Sequence, residues 1–126
     1  VIVVDSSGWL EFLTDGPLAD EYANYLRRPE SVVTPTIVIY EVYKRAKRVR
    51  GEEEAVDAVA AMQKTRVVSL TDELALIAAD LSLLYKLPMA DAIVLATAQA
   101  NDADVITSDS DFRNIPRVVY IPNKNL

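Results

Sequence analysis

Cysteine and histidine are both absent from the 126 residues of this chain. Without cysteine there is no disulfide framework, no thiolate metal site and no cysteine nucleophile. Without histidine the commonest general base and the commonest transition-metal ligand are missing together. Any catalysis must then run on carboxylates, hydroxyls, Lys, Arg, Tyr or a hard metal ion. Long apolar runs are lacking too, and nothing approaches the roughly 20 residues needed to span a bilayer. The apolar start, residues 1–4, meets Asp5 at once with no basic stretch before it, so it does not read as a signal peptide. These absences are compatible with a cytoplasmic protein. Positive charge is also scarce: 13 Lys and Arg stand against 19 Asp and Glu, a net charge of −6. That balance argues against a protein that coats nucleic acid non-specifically. It leaves room for a nuclease, whose metal-binding carboxylates contribute to such a charge.

What is present is ordinary globular composition, 51% hydrophobic and 25% charged. The length suits one domain with a single core, over residues 1–126. Residues 1–4 form a continuous β-branched run, the mark of a parallel strand buried on both faces. Further strands are expected over 31–34, 66–70, 103–107 and 117–121, and a tail over 122–126. Between them lie helical segments. Ser6 or Ser7 is expected to cap the first, with Trp9, Leu10 and Leu13 on its core side or on a partner-binding surface. Pro17 is expected to open the second helix, which runs to about Arg28. Thr34 is expected to cap the third, with Pro35 at its first position. A fourth, to about Lys64, presents Ala55, Val56, Val59, Ala60 and Met62. Thr71 opens a fifth whose core residues are Leu74, Ile77, Ala78, Leu81 and Leu84, and a sixth runs to about Asn101. Strands alternating with helices mean right-handed crossovers. The expected fold is therefore α/β, a three-layer α/β/α sandwich around a parallel sheet of about five strands.

Five acids stand out, each with a bland reading beside a functional one. Asp5 directly follows the first buried strand; it could cap the next helix, or it needs a cation or hydrogen-bond partner. Glu41 falls in the apolar stripe of the third helix, where it could simply pair with Arg45 one turn on. Asp91 sits in the first turn of the sixth helix, which favours a carboxylate electrostatically. It also shares a ridge with Val94, Leu95 and Ala98, facing the body of the protein. Asp109 and Asp111 lie in Thr107-Ser108-Asp109-Ser110-Asp111, straight after the fourth strand. Ser and Asp there suit a turn. They also lie outside the carboxyl end of a strand, where open α/β sheets bind ligands. If the first and fourth strands are neighbours at the switch point, Asp5 and Asp109 project from adjacent strand ends. Glu41 and Asp91 then start near the same edge. So many carboxylates need compensation, and all-oxygen donors select Mg²⁺ or Mn²⁺. The third helix also carries Lys44, Arg45, Lys47, Arg48 and Arg50, either a solvated face or a contact for a phosphate backbone.

Val-Val-Asp5-Ser6-Ser7, Tyr40-Glu41-Val42, Met89-Ala90-Asp91-Ala92 and Thr107-Ser108-Asp109-Ser110-Asp111-Phe112 resemble the four acidic motifs of the PIN-domain family. The resemblance spans essentially the whole chain, and the size is similar to that of VapC toxins of toxin–antitoxin pairs. It implies that Asp5, Glu41, Asp91 and Asp109 are catalytic, metal-binding acids, with Asp111 as an accessory ligand and Ser7 and Thr107 in support. It implies Mg²⁺- or Mn²⁺-dependent cleavage of single-stranded or looped RNA, a homodimer and inhibition by a cognate antitoxin. Arg45, Arg48 and Arg50 are the expected RNA-backbone contacts. A PIN nuclease of RNA processing without a toxin role is the nearest alternative. A haloacid-dehalogenase-like phosphatase would need a second Asp where Ser7 stands. A receiver-like signalling module would need an Asp ending the third strand, which instead runs Ser69-Leu70-Thr71.

Overall fold

The computed structural model describes residues 1–123 of the chain, so the last three residues of the expected tail lie outside it. Among the described residues, five parallel strands and six α-helices alternate as expected. Strand β1 (Ile2–Val4) leads into α1 (Ser6–Leu13) and α2 (Ala19–Leu26). A short 3₁₀ turn, Pro29–Ser31, precedes β2 (Val33–Pro35), which is followed by α3 (Thr36–Arg50) and α4 (Glu52–Met62). Then come β3 (Arg66–Val68), α5 (Asp72–Tyr85), α6 (Met89–Ala100) and β4 (Asp104–Thr107). A second 3₁₀ turn (Ser110–Phe112) and β5 (Val118–Tyr120) complete the described elements.

The strands do not form one continuous ladder. They pair as a three-stranded sheet, β1-β4-β5, and a two-stranded sheet, β2-β3. A single parallel bridge between Ile2 and Val32 joins the two. The expected five-stranded sheet is thus divided, because the strands on either side of the junction are only three residues long. Across the bridge the order reads β3-β2-β1-β4-β5, which reverses direction between β1 and β4. Their register is Ile2 with Asp104, Val3 with Val105 and Val4 with Ile106. Val3, Val4 and Val105 are fully buried, as a strand covered on both faces requires.

Local chemistry corrects several expected boundaries. Ser6 and Ser7 lie inside α1, and Asp5 occupies the cap position without a side-chain cap bond. Helix α2 starts two residues after Pro17, because the Leu18 N–H is met by Glu11 Oε1 at 3.1 Å. It also ends earlier than expected, at Leu26. Thr34 does not cap α3. It is buried, and its hydroxyl bonds Thr65 Oγ1 at 2.6 Å, while Pro35 completes β2 and takes the cap position. Thr71 does cap α5, accepting from the Leu74 N–H at 3.1 Å. Gly51, at φ 97°, ends α3 in a backbone conformation that only glycine adopts without strain. Within α5, Leu74, Ala78 and Leu81 are buried, but Ile77 and Leu84 are exposed. Val56 and Ala60 of α4 are exposed as well. Trp9 is core, at 3% exposure. No single described helix is long and apolar enough to cross a membrane.

Candidate metal centre at the strand switch point

Asp5 and Asp109 leave the carboxyl ends of the two neighbouring central strands, β1 and β4. The backbone ties them: the Asp5 N–H donates to the Ile106 carbonyl at 3.0 Å, extending the β1–β4 ladder to the acid itself. Thr107, the last residue of β4, is fully buried and its hydroxyl does two jobs. Thr107 Oγ1 donates to Asp5 Oδ2 at 2.9 Å and accepts the Asp109 N–H at 2.9 Å. One hydroxyl therefore fixes the side chain of one acid and the backbone of the other. Asp109 Oδ1 in turn accepts the Asp111 N–H at 2.9 Å, closing the 3₁₀ turn, and buried Phe112 pins that turn to the core.

The third acid arrives from a helix. Asp91 lies in the first turn of α6, whose residues 91–98 are all buried. Carboxylate oxygens of Asp5, Asp91 and Asp109 all lie within 4.8 Å of one another. Asp5 is 2% exposed and Asp91 9%. Burial, followed by the charges of Asp109 and Asp5, pushes the Asp91 carboxyl up to about 8. Burial likewise raises Asp5, against hydrogen bonds from the Ser6 backbone and from Thr107 that lower it. Among the described residues none of the ion pairs involves these three acids; Arg and Lys partners are taken by Glu52, Glu54, Asp102 and Asp104. The cluster therefore has no ion-paired counter-charge among the described residues. Three clustered carboxylates, of which Asp5 and Asp91 are raised chiefly by burial, are an oxygen donor set suited to a hard divalent cation.

Glu41 comes near without joining the triad. It sits half-buried on α3, and its carboxyl is raised first by burial and then by the charge of Asp5, with a hydrogen bond to Ser6 opposing. It forms no ion pair with Arg45 among the described residues. Asp111 is exposed at the rim, close enough for its charge to raise Asp91. Ser7 Oγ accepts the Ser108 N–H at 3.2 Å, locking α1 to the loop after β4. Ser108 also meets Tyr22 of α2, with the two hydroxyls 2.5 Å apart. Tyr22 is fully buried, which pushes its phenol up to about 12. Sequence reasoning missed Tyr22 as a site residue; its only signal was an aromatic on the apolar side of a short helix.

The basic residues of α3 divide. Arg45 and Arg48 line an open groove of about 300 Å³ together with Ser6, Tyr40, Glu41 and Lys44. Arg50 is absent from that groove; it faces Glu54 at 3.8 Å and lines two other clefts, one of which it shares with Arg45.

No curated protein sequence matches the chain. Solved structures do. A toxin–antitoxin complex from Klebsiella pneumoniae contains a chain 26% identical, covering 94% of this chain and 96% of that one, with a TM-score of 0.81. VapC20 of Mycobacterium tuberculosis, a sarcin-ricin-loop-cleaving toxin, is 20% identical over 98% of this chain and 100% of its own, at a TM-score of 0.79. FitAcB from Neisseria gonorrhoeae, at 17% identity, covers 97% and 98% with a TM-score of 0.75. The model of the PIN domain matches residues 2–118. By that match, and with the acidic switch point the fold assembles, this chain belongs to the PIN-domain family.

Proposed function

We propose that this chain is a Mg²⁺- or Mn²⁺-dependent endoribonuclease acting as the toxin of a VapBC-type pair. The observation that carries the reading is the meeting of Asp5, Asp91 and Asp109 at a switch point, with no ion pair to any of them among the described residues. These three would hold the ion, with Glu41 and Asp111 beside them. A bound cation of this kind acidifies a water and shields the charge of a phosphodiester under attack. The chain's own residues prepare the site. Thr107 orients Asp5 through its hydroxyl, and Ser7 and Tyr22 hold the Ser108 loop so that Asp109 faces Asp91. Arg45 and Arg48 stand beside Glu41, where they can meet the phosphate backbone of RNA.

The first experiment is cleavage of a labelled single-stranded RNA with Mg²⁺ or Mn²⁺, comparing the protein with Asp5→Asn and Asp91→Asn. Losing several kcal/mol of charge stabilisation should slow cutting roughly 100-fold or more in each folded variant. Cutting that persists in both variants would sink the assignment. The toxin role has its own test. Induction should arrest growth, and co-expression of a small protein encoded beside this one should relieve the arrest. A nuclease that leaves growth unaffected would be an RNA-processing enzyme instead.

Homodimerisation and a cytoplasmic setting belong to the same proposal. Leu76, Leu83 and Leu84, at i, i+7 and i+8 on α5, are 70%, 82% and 69% exposed, and Met89 at the start of α6 is 73% exposed. So much apolar side chain on one region supports burial against a second copy. Leu83→Glu with Leu84→Glu should then shift sedimentation from dimer to monomer.

A further inference from the structure

The groove beside the acidic cluster holds one aromatic residue that the metal chemistry leaves without a role. Tyr40 is 57% exposed, although it precedes Glu41 directly in the chain. It lines the groove with Ser6 and Glu41 at one end and Lys44, Arg45 and Arg48 beyond. Tyr40, Lys44 and Arg48 are spaced four residues apart on α3, so they form one ridge with about 6 Å of rise per step. The ammonium of Lys44 lies 3.4 Å from the Tyr40 hydroxyl but 5.5 Å from the ring centroid. It therefore stands toward the hydroxyl end of the ring rather than over its centre, and more than half of the residue remains exposed. An exposed aromatic ring followed by two cations along one line is the arrangement that single-stranded nucleic acid needs: a π-face for a base, then charges for successive phosphates.

We infer that Tyr40 is a base-stacking platform at the entrance to the acidic cluster, with Lys44 and Arg48 carrying the backbone of an unpaired strand along α3. This inference rests on the nuclease reading and deepens it. It assigns the nucleotide beside the cut to stacking, which every base can supply, rather than to hydrogen-bonded readout. It also places the basic track on Lys44, Arg45 and Arg48, which line this groove while Arg50 does not. Duplex RNA cannot use the platform, because its bases are already stacked within the helix.

The test is equilibrium binding of a fluorescent single-stranded RNA and its duplex, with Asp91→Asn in every protein to prevent cutting. Added to that background are Tyr40→Ala, Tyr40→Phe, Lys44→Gln and Arg48→Gln. Tyr40→Ala should weaken single-strand binding roughly 5- to 100-fold, without changing how steeply binding falls with salt. Tyr40→Phe keeps the ring and should stay within about two-fold. Lys44→Gln and Arg48→Gln should each lower the salt slope by about 0.7, the value for one phosphate contact on a single strand. Ala is the best helix former and Tyr40 is exposed, so a matching melting temperature checks the fold of that variant. Single-strand affinity unchanged by Tyr40→Ala, or an equal loss for duplex, overturns the platform while the nuclease reading stands. If the Asp91→Asn background binds neither RNA and the unaltered protein cuts neither, the nuclease reading fails and takes this inference with it.

Discussion

Thr107 shows how much of the site depends on one hydroxyl. Replacing it with Val preserves shape and β-branching but leaves Asp5 Oδ2 without its donor and the Asp109 N–H without its acceptor. A buried polar group left unpaired costs about 1–3 kcal/mol. Thr107→Val should therefore lower the melting temperature, and should weaken Mn²⁺ binding because Asp5 is freed to reorient. Calorimetric titration with Mn²⁺ checks the second effect; unchanged affinity would mean that the fold alone positions Asp5. Gly8 is a second residue-scale constraint. A Cβ there would lie 2.3 Å from Tyr22 Cε1 and 2.7 Å from Val4 Cγ1, so α1 approaches its neighbours more closely than any side chain permits. Gly8→Ala should destabilise by about 1–3 kcal/mol, as overpacking does, read as a shift in the urea midpoint. At this scale Asp5, Asp91 and Asp109 were legible in the sequence because each follows a recognisable strand end or helix start, and Glu41 because an acid interrupts an apolar helical stripe. The hydroxyl network was only half legible. Ser7 and Thr107 stood next to acids, whereas Tyr22 reaches Ser108 from a helix 86 residues away in the chain.

Elements were legible where period and burial agree. Strand β1 reads as buried from four consecutive apolar residues, and its core positions are fully covered. Helix α5 defeats the same reasoning. Leu74, Leu76, Ile77, Ala78, Leu81, Leu83 and Leu84 place apolar residues on every side, so periodicity cannot choose a face. Only packing decides, and it selects Leu74, Ala78 and Leu81. The cap of α3 was missed for another reason, although Thr71 caps α5 as expected. Thr34 has the right chemistry for an N-cap, but a buried partner, Thr65, competes for its hydroxyl, and tertiary pairing wins. On α3, the exposed pair between Arg50 and Glu54 is of the kind that contributes only about 0–1 kcal/mol. Arg50→Gln should therefore cost no more than about 1 kcal/mol of stability, and because Arg50 lies outside the groove lined by Tyr40, Lys44 and Arg48 it should leave RNA affinity within about two-fold. Arg48→Gln should weaken RNA binding measurably. The reverse ranking would move the RNA path to the other side of α3.

The whole molecule is organised by a charge conflict at its centre, and that conflict makes stability depend on pH and metal. Asp5, Glu41 and Asp91 all have carboxyls raised by folding, Asp91 to about 8. An acid raised in the folded state binds a proton more tightly there than in the unfolded chain. Its contribution to stability is complete below its unfolded value, near 4, and is lost as pH rises through the folded value. In EDTA the melting temperature should therefore fall steadily between about pH 5 and 8. The slope contributed by each such group is at most about 1.4 kcal/mol per pH unit. A divalent cation replaces the protons, so saturating Mn²⁺ should flatten the decline and add about 2.7 kcal/mol at one hundred times its dissociation constant. Binding should release protons, more of them at pH 6.5 than at pH 9. Asp91→Asn removes one of the competing charges, so in EDTA at pH 8 this variant should melt above the unaltered protein while losing metal stabilisation. A melting temperature in EDTA that is flat from pH 5 to 8, or an Asp91→Asn variant less stable than its parent at pH 8, would mean that the three carboxylates find compensation within the protein. The strand switch point would then have no use for a cation.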